Sequence, residues 1–87
     1  MIIVSQDKKV IYNFDNISSI QIEECNGTYN LIVYDQINDR DSLGEYKSKE
    51  RAREVLQEII KIYEYCRNKD LKIYGYNTGN TYYMPQE

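Results

Sequence analysis

Catalysis at neutral pH needs a group whose proton is in play, or a metal to polarise the substrate, and this chain has few means to either. It contains no histidine, which removes the side chain that most often serves as general base and metal ligand. Cys25 and Cys66 are isolated, with no CxxC spacing, so they read as two ordinary thiols of a reducing compartment, not as zinc ligands or a structural disulfide. The acid pairs Glu23 with Glu24 and Asp39 with Asp41 could serve acid–base chemistry or calcium. Asp39-Arg40-Asp41 lacks, however, the glycine and terminal glutamate of a helix-loop-helix calcium site and reads as a solvated loop. No GxSxG, GxGxxG or phosphate-loop pattern appears. The expectation is a protein that binds and does not catalyse, with no cofactor and no metal.

The aromatic residues suggest what the binding could use. Ten tyrosines accompany a single phenylalanine and no tryptophan. Four of the tyrosines fall in Leu71–Tyr76 and Thr81–Pro85. Tyrosine adds large apolar area while keeping a tip that tolerates water, so rings crowded onto one ribbon favour a contact surface. With a four-residue loop at Asn77–Asn80, Tyr76 faces Thr81, Tyr74 faces Tyr83 and Ile73 faces Met84. Tyr74, Tyr76 and Tyr83 then share one face, with Lys72 on the same alternation. Such a face can be packed by the chain itself, form a subunit interface, or stack a nucleobase. In the last reading Lys72 and arginines such as Arg40, Arg51 or Arg53 meet phosphate. Lys47, Lys49, Arg51 and Arg53 surround a helix start that could hold a phosphate through its free amides. The interleaved Glu45, Glu50 and Glu54 favour a mixed solvated face instead.

The elements that must position these groups follow from periodicity. A chain of 87 residues supports one domain, here residues 1–87, with a thin core. Hydrophobic residues at 41% and charged residues at 29% place it with ordinary globular domains. A net charge of −3 argues against capture of extended nucleic acid. The apolar runs are strand-length, and the first residues lack a signal peptide's basic flank, so the expectation is a cytoplasmic protein with no membrane segment. Met1–Val4 and Val10–Phe14 read as strands around a polar turn. Ile17–Glu24 and Thr28–Asp35 form a hairpin at Asn26-Gly27, since both positions accept positive φ. A two-residue loop there pairs Ile22 with Leu31 and Ile20 with Val33 on the core face, and Gln21 with Ile32 and Ser19 with Tyr34 on the other. Ile32 and Tyr34 then call for partial cover on that second face.

Gln36–Asp41 reads as a loop and Ser42–Tyr46 as a short strand. Ser48 caps a helix from about Lys49 to Asn68, with Glu50 complementing its dipole and Ala52, Val55, Leu56, Ile59, Ile60, Tyr63 and Cys66 forming its apolar stripe. The fold class expected is α+β: an antiparallel sheet of short strands, packed on one face by this helix, with a C-terminal hairpin.

Three blocks carry a resemblance covering most of the chain. They are Ile2–Gln6 followed by Ile11–Asn16; Leu43-Gly44-Glu45-Tyr46 leading into Glu50–Ile60; and the ending Tyr82-Tyr83-Met84-Pro85-Gln86-Glu87. Together they resemble a group of short uncharacterised proteins of low-GC Gram-positive bacteria and their phages. The resemblance implies a phage-linked setting and carries no residue role. By analogy with small phage-linked binding proteins, the expected function is non-enzymatic counter-defence. A homo-oligomer sequesters a nucleotide-type immune signal on Tyr74, Tyr76, Tyr83, Lys72, Arg40, Arg51 and Arg53. The alternative is an inhibitor or adaptor that binds and blocks a host defence protein.

Overall fold

The computed structural model describes residues 1–68 and 81–87, with side chains through Tyr65 and again from Thr81. In chain order the elements are β1 (Ile2–Val4), β2 (Ile11–Asn13), a 3-10 turn (Phe14–Asn16), β3 (Ile17–Cys25), β4 (Thr28–Asp35), β5 (Arg40–Tyr46), α1 (Lys49–Asn68) and β6 (Thr81–Tyr83). The class is α+β. Among the described residues the strands form two three-stranded sheets, ordered β2-β1-β6 and β3-β4-β5.

The β3-β4 hairpin is set by its loop. Asn26 and Gly27 take φ of 53° and 82°, the two positive values a two-residue primed turn requires, and Cys25 faces Thr28. The ladder runs Ile22↔Leu31, Gln21↔Ile32, Ile20↔Val33 and Ser19↔Tyr34, the register read from the sequence. β5 begins at Arg40, inside the stretch expected to be loop. Asp35 closes the intervening turn: its Oδ1 accepts the amides of Ile37 at 2.9 Å and Asp39 at 3.0 Å. Between Leu31↔Gly44 and Ile32↔Ser42 the β4-β5 register shifts, so Leu43 is an extra residue on β5. That bulge turns Leu43 into the core, where it is 1% exposed.

The helix starts where Ser48 Oγ accepts the Arg51 amide at 3.0 Å. Ala52, Val55 and Ile59 are fully buried and share one core with Leu31, Val33, Leu43, Tyr46, Ile3, Tyr82 and Met84. The main contacts of α1 are with β4 and β5. One flank of the helix is tied to the C-terminal residues: Arg51 Nε donates to the Glu87 main-chain oxygen at 2.9 Å and Tyr82 Oη donates to Glu58 at 2.6 Å. At the far end the rings of Phe14 and Tyr63 sit 4.6 Å apart, tilted by 44°, a favourable aromatic geometry.

One expectation is corrected: the single antiparallel sheet is replaced, among the described residues, by two sheets, one of which contains a parallel pair. Of the expected C-terminal hairpin, the first strand, Leu71–Tyr76, lies outside the described residues, and the second is present as β6, which runs parallel to β1 with Ile2↔Thr81, Ile3↔Tyr82 and Val4↔Tyr83. The parallel pairing is explained by burial. In this register Tyr82 and Met84 fall beside Ile3 in the core, at 7%, 3% and 0% exposure, and the Met84 amide extends the ladder to the Val4 carbonyl.

Candidate functional site

The β2-β1-β6 sheet has two unlike faces, and the alternation of its strands decides which residues lie on each. Tyr12, Ile3 and Tyr82 form the row turned inward. Tyr12 Oη donates to Asp41 at 2.5 Å, and burial pushes its phenol upward from the ordinary tyrosine value, with the Asp41 carboxylate adding to the shift. Burial also raises the Tyr82 phenol, aided by Glu58.

The outward rows are Ile11–Val4–Tyr83 and Asn13–Ile2–Thr81. Ile11 is 68% exposed, Tyr83 66% and Ile2 41%. None of these residues is charged, although 29% of the chain is. Isolated exposed apolar residues are ordinary; a contiguous uncharged cluster on a sheet face is a candidate contact surface.

The strands of this face are tied at their ends. The turn from β1 to β2 closes with Ser5 N–H to Val10 carbonyl at 2.9 Å and Lys8 N–H to Ser5 carbonyl at 2.9 Å. Asp7 accepts from Ser5 Oγ at 2.7 Å and from the Lys9 amide at 2.9 Å, and these bonds, the Ser5 one first, hold its carboxyl below the usual range. Where β1 ends, the Gln6 amide donates to the Leu43 carbonyl at 2.8 Å, joining this sheet to the edge of β5.

Of the residues expected to bind a nucleotide, Tyr83 is the one on this face. Tyr74, Tyr76 and Lys72 lie outside the described residues. Arg40 sits on the other sheet, paired with Glu23 on the face opposite the core, and the Tyr34 hydroxyl, with the Glu23 carboxylate, keeps its guanidinium strongly protonated. Arg51 and Arg53 are on the first turn of α1 and border an open groove of about 480 Å³. That groove also holds Glu50, Glu54, Glu58 and Lys61, so its charges largely cancel. Arg51 is further engaged by Glu54 at 3.0 Å. The described members of the expected set thus occupy three separate elements. A cavity of about 320 Å³ beside Tyr12, Asp35, Asp39 and Asp41 is acidic, but Asp35 and Asp41 already accept the hydrogen bonds that shape the loop and anchor Tyr12. Among the described residues no group of three or more acids or thiols gathers to hold a metal, and no helix is long and apolar enough to cross a membrane.

Ile2, Val4 and Ile11 were not singled out by sequence reasoning. The short runs Met1–Val4 and Val10–Phe14 did read as strands, but both alternation sets of Met1–Val4 are apolar, and Val10–Phe14 offers only Asn13 to mark its open face, so the pattern alone does not single out these three residues. Compared with protein families, curated proteins and solved structures, the chain matches none.

Proposed function

We propose that this is a binding protein without catalytic chemistry of its own, an inhibitor or adaptor that docks the outer face of the β2-β1-β6 sheet onto a protein partner. The observation that carries the reading is the uncharged cluster of Ile11, Val4, Tyr83 and Ile2, left open on a sheet whose other side is sealed in the core. An interface core of this kind is poor in charge and anchored by a tyrosine. The partner surface it fits is apolar and uncharged. The phage-linked resemblance supplies the class in which to look, a host defence protein. Sequestration of a nucleotide has less behind it, because phosphate calls for free cations beside the stacking ring, whereas Arg40 is paired with Glu23 and Arg51 with Glu54.

The test is site-specific photo-crosslinking from position 11 in host cells, followed by calorimetry with the purified captured protein. The reading expects Ile11→Asp and Tyr83→Ala each to weaken that binding at least ~10-fold while Arg40→Ala leaves it unchanged, in line with the size of interface hot spots. Equal binding by all three variants overturns it. A thermal shift with nucleotides that Tyr83→Ala abolishes transfers the function to the sequestration reading.

A further inference from the structure

A second surface, unconnected with the docking face, lies along β3. This nine-residue strand is the longest of the described strands and, among the described residues, pairs only with β4. Its sequence, Ile17-Ser-Ser-Ile-Gln-Ile-Glu-Glu-Cys25, contains neither lysine nor proline; the features that blunt a free edge are confined to its two ends, Glu23 and Glu24 at one and the register irregularity between Ile17 and Ser19 at the other. The two-residue loop makes Cys25 and Thr28 the closing hydrogen-bonded pair. Alternation then turns the amides and carbonyls of Ile20, Ile22 and Glu24 away from β4.

The helix leaves this edge under-covered. Its main contacts are with β4 and β5, and its Arg51 and Glu58 flank is bound to the C-terminal residues, which Gln6 holds against β5. The opposite flank, Leu56 and Ile60, therefore faces β3. Ile60 is 41% exposed, and Ile17, Ile20, Ile22 and Leu56 are only half-buried against the core. The result is an apolar shelf running beside a strand edge that is unpaired among the described residues.

The geometry points to a second copy of this chain as the occupant: β3 pairs antiparallel with β3 of its partner about a two-fold axis through Gln21. The axis stands normal to the sheet, so both helices lie on the same side and the two shelves meet. The register is consistent with the charges. It pairs Ile20 with Ile22 in hydrogen-bonded positions and sets Glu23 against Ser19, with Glu24 reaching the irregular end of the partner strand at Ser18, so no carboxylate faces another across the seam, although each copy carries −3.

Sedimentation velocity over a concentration series, on the full chain, tests this. Ile22→Lys and Ile60→Glu are each expected to weaken the dimer at least ~10-fold, with the fold of each variant checked by its circular dichroism spectrum, while Ile11→Asp on the other sheet leaves dimerisation unchanged. A second readout needs no core substitution. In a Cys25→Ser, Cys66→Ser background, Gln21→Cys is expected to form a disulfide-linked dimer under mild oxidation, because opposed residues in non-hydrogen-bonded positions sit about 4.5 Å apart, while Gln36→Cys in the same background stays monomeric. A monomer at every concentration overturns the inference, as does a dimer that survives Ile22→Lys or is lost with Ile11→Asp. Failure here leaves the docking reading standing, because that reading rests on Ile11 and Tyr83.

Discussion

The side chain of Gln6 pairs with the main chain of Glu45 as a strand residue would. Its Oε1 accepts the Glu45 amide at 2.8 Å and its Nε2 donates to the Glu45 carbonyl at 3.1 Å. The same Nε2 lies 3.1 Å from the carbonyls of Pro85 and Gln86, and Gln86 Nε2 returns a bond to the Gln6 carbonyl at 2.7 Å. One amide thus ties the first sheet, the edge of the second and the C-terminal residues together, where the backbone ladder has run out.

Gln6→Ala removes both halves of this bridge and is expected to cost about 1–3 kcal/mol, the range for amide hydrogen bonds lost together at a partly shielded site. Gln86→Ala, which leaves the Glu45 bridge intact, is expected to cost under about 1 kcal/mol. Urea unfolding at constant m-value measures both. An unchanged midpoint for Gln6→Ala means the core alone holds the two sheets together.

Gly44 lies directly beneath this bridge. A Cβ added there meets Tyr46 Oη at 3.1 Å, Gln6 Cβ at 3.2 Å and Tyr46 Cε2 at 3.3 Å. Neither neighbour can give way cheaply, because Tyr46 Oη donates to the Pro85 carbonyl at 2.8 Å and Gln6 is held as described. Gly44→Ala is therefore expected to destabilise by about 1–3 kcal/mol as overpacking, in spite of the lower chain entropy alanine brings to the unfolded state. The double variant with Gln6→Ala, in which Gln6 no longer holds its place, should cost less than the sum of the two singles. Full additivity counts against the steric account.

What could be read from the sequence was local. Asn26-Gly27 fixed a turn and therefore a register, because a one-residue slip would send Ile20 and Ile22 to the polar face. Ser48 followed by a three-to-four-residue stripe located the helix. The parallel pairing of β6 with β1 left no such trace, since it joins segments almost a chain length apart and three-residue strands carry too few alternations to name a neighbour. The Leu43 bulge was equally hidden: Leu43-Gly44-Glu45-Tyr46 reads as plain strand, and only the register against β4 shows the extra residue. Gln6 looked like an ordinary turn residue because its partners come from Glu45, Pro85 and Gln86. The candidate site was legible at Tyr83 alone: Ile2 and Val4 are indistinguishable by period from the buried Ile3, and the single Asn13 beside Ile11 is too short a signal to mark an open face.

On the face of the second sheet opposite the helix, Tyr34 Oη donates to Glu23 Oε2 at 2.7 Å, and Arg40 pairs with the same carboxylate. Glu23 faces Asn30 and Tyr34 lies two rows further on, so the bond spans the row of Ile32, which is 6% exposed and stands outside the main core cluster. This supplies cover for an isoleucine on the polar face. Ile32→Ala is expected to cost about 2–3 kcal/mol, as for a buried aliphatic, whereas Tyr34→Phe and Glu23→Gln each cost under about 1 kcal/mol because the polar contacts above it are solvated. Chemical denaturation decides: a cost for Ile32→Ala near zero means the side chain gains nothing from its cover.

Three wholly or partly buried phenols are expected to set the alkaline limit of the fold. Burial raises Tyr12, Tyr46 and Tyr82 above the ordinary value of 10.0, Tyr46 to about 12. Carboxylates next to the rings oppose ionisation further: Asp41 at Tyr12 and Glu58 at Tyr82. An acid whose folded pKa is raised favours folding while it stays protonated. That contribution is complete below the unfolded value of 10.0 and is lost as pH rises through the folded one. Stability should accordingly fall from about pH 10 upward, with cooperative loss of structure near or above pH 12. Following phenolate absorbance and far-ultraviolet circular dichroism in one titration checks this: part of the phenolate signal should appear only with unfolding. In Tyr82→Phe the hydroxyl bonded to Glu58 is gone, so that ring no longer contributes to the alkaline loss and the unfolding transition moves to higher pH. A transition that stays in place, or moves lower, assigns the limit to the other two phenols.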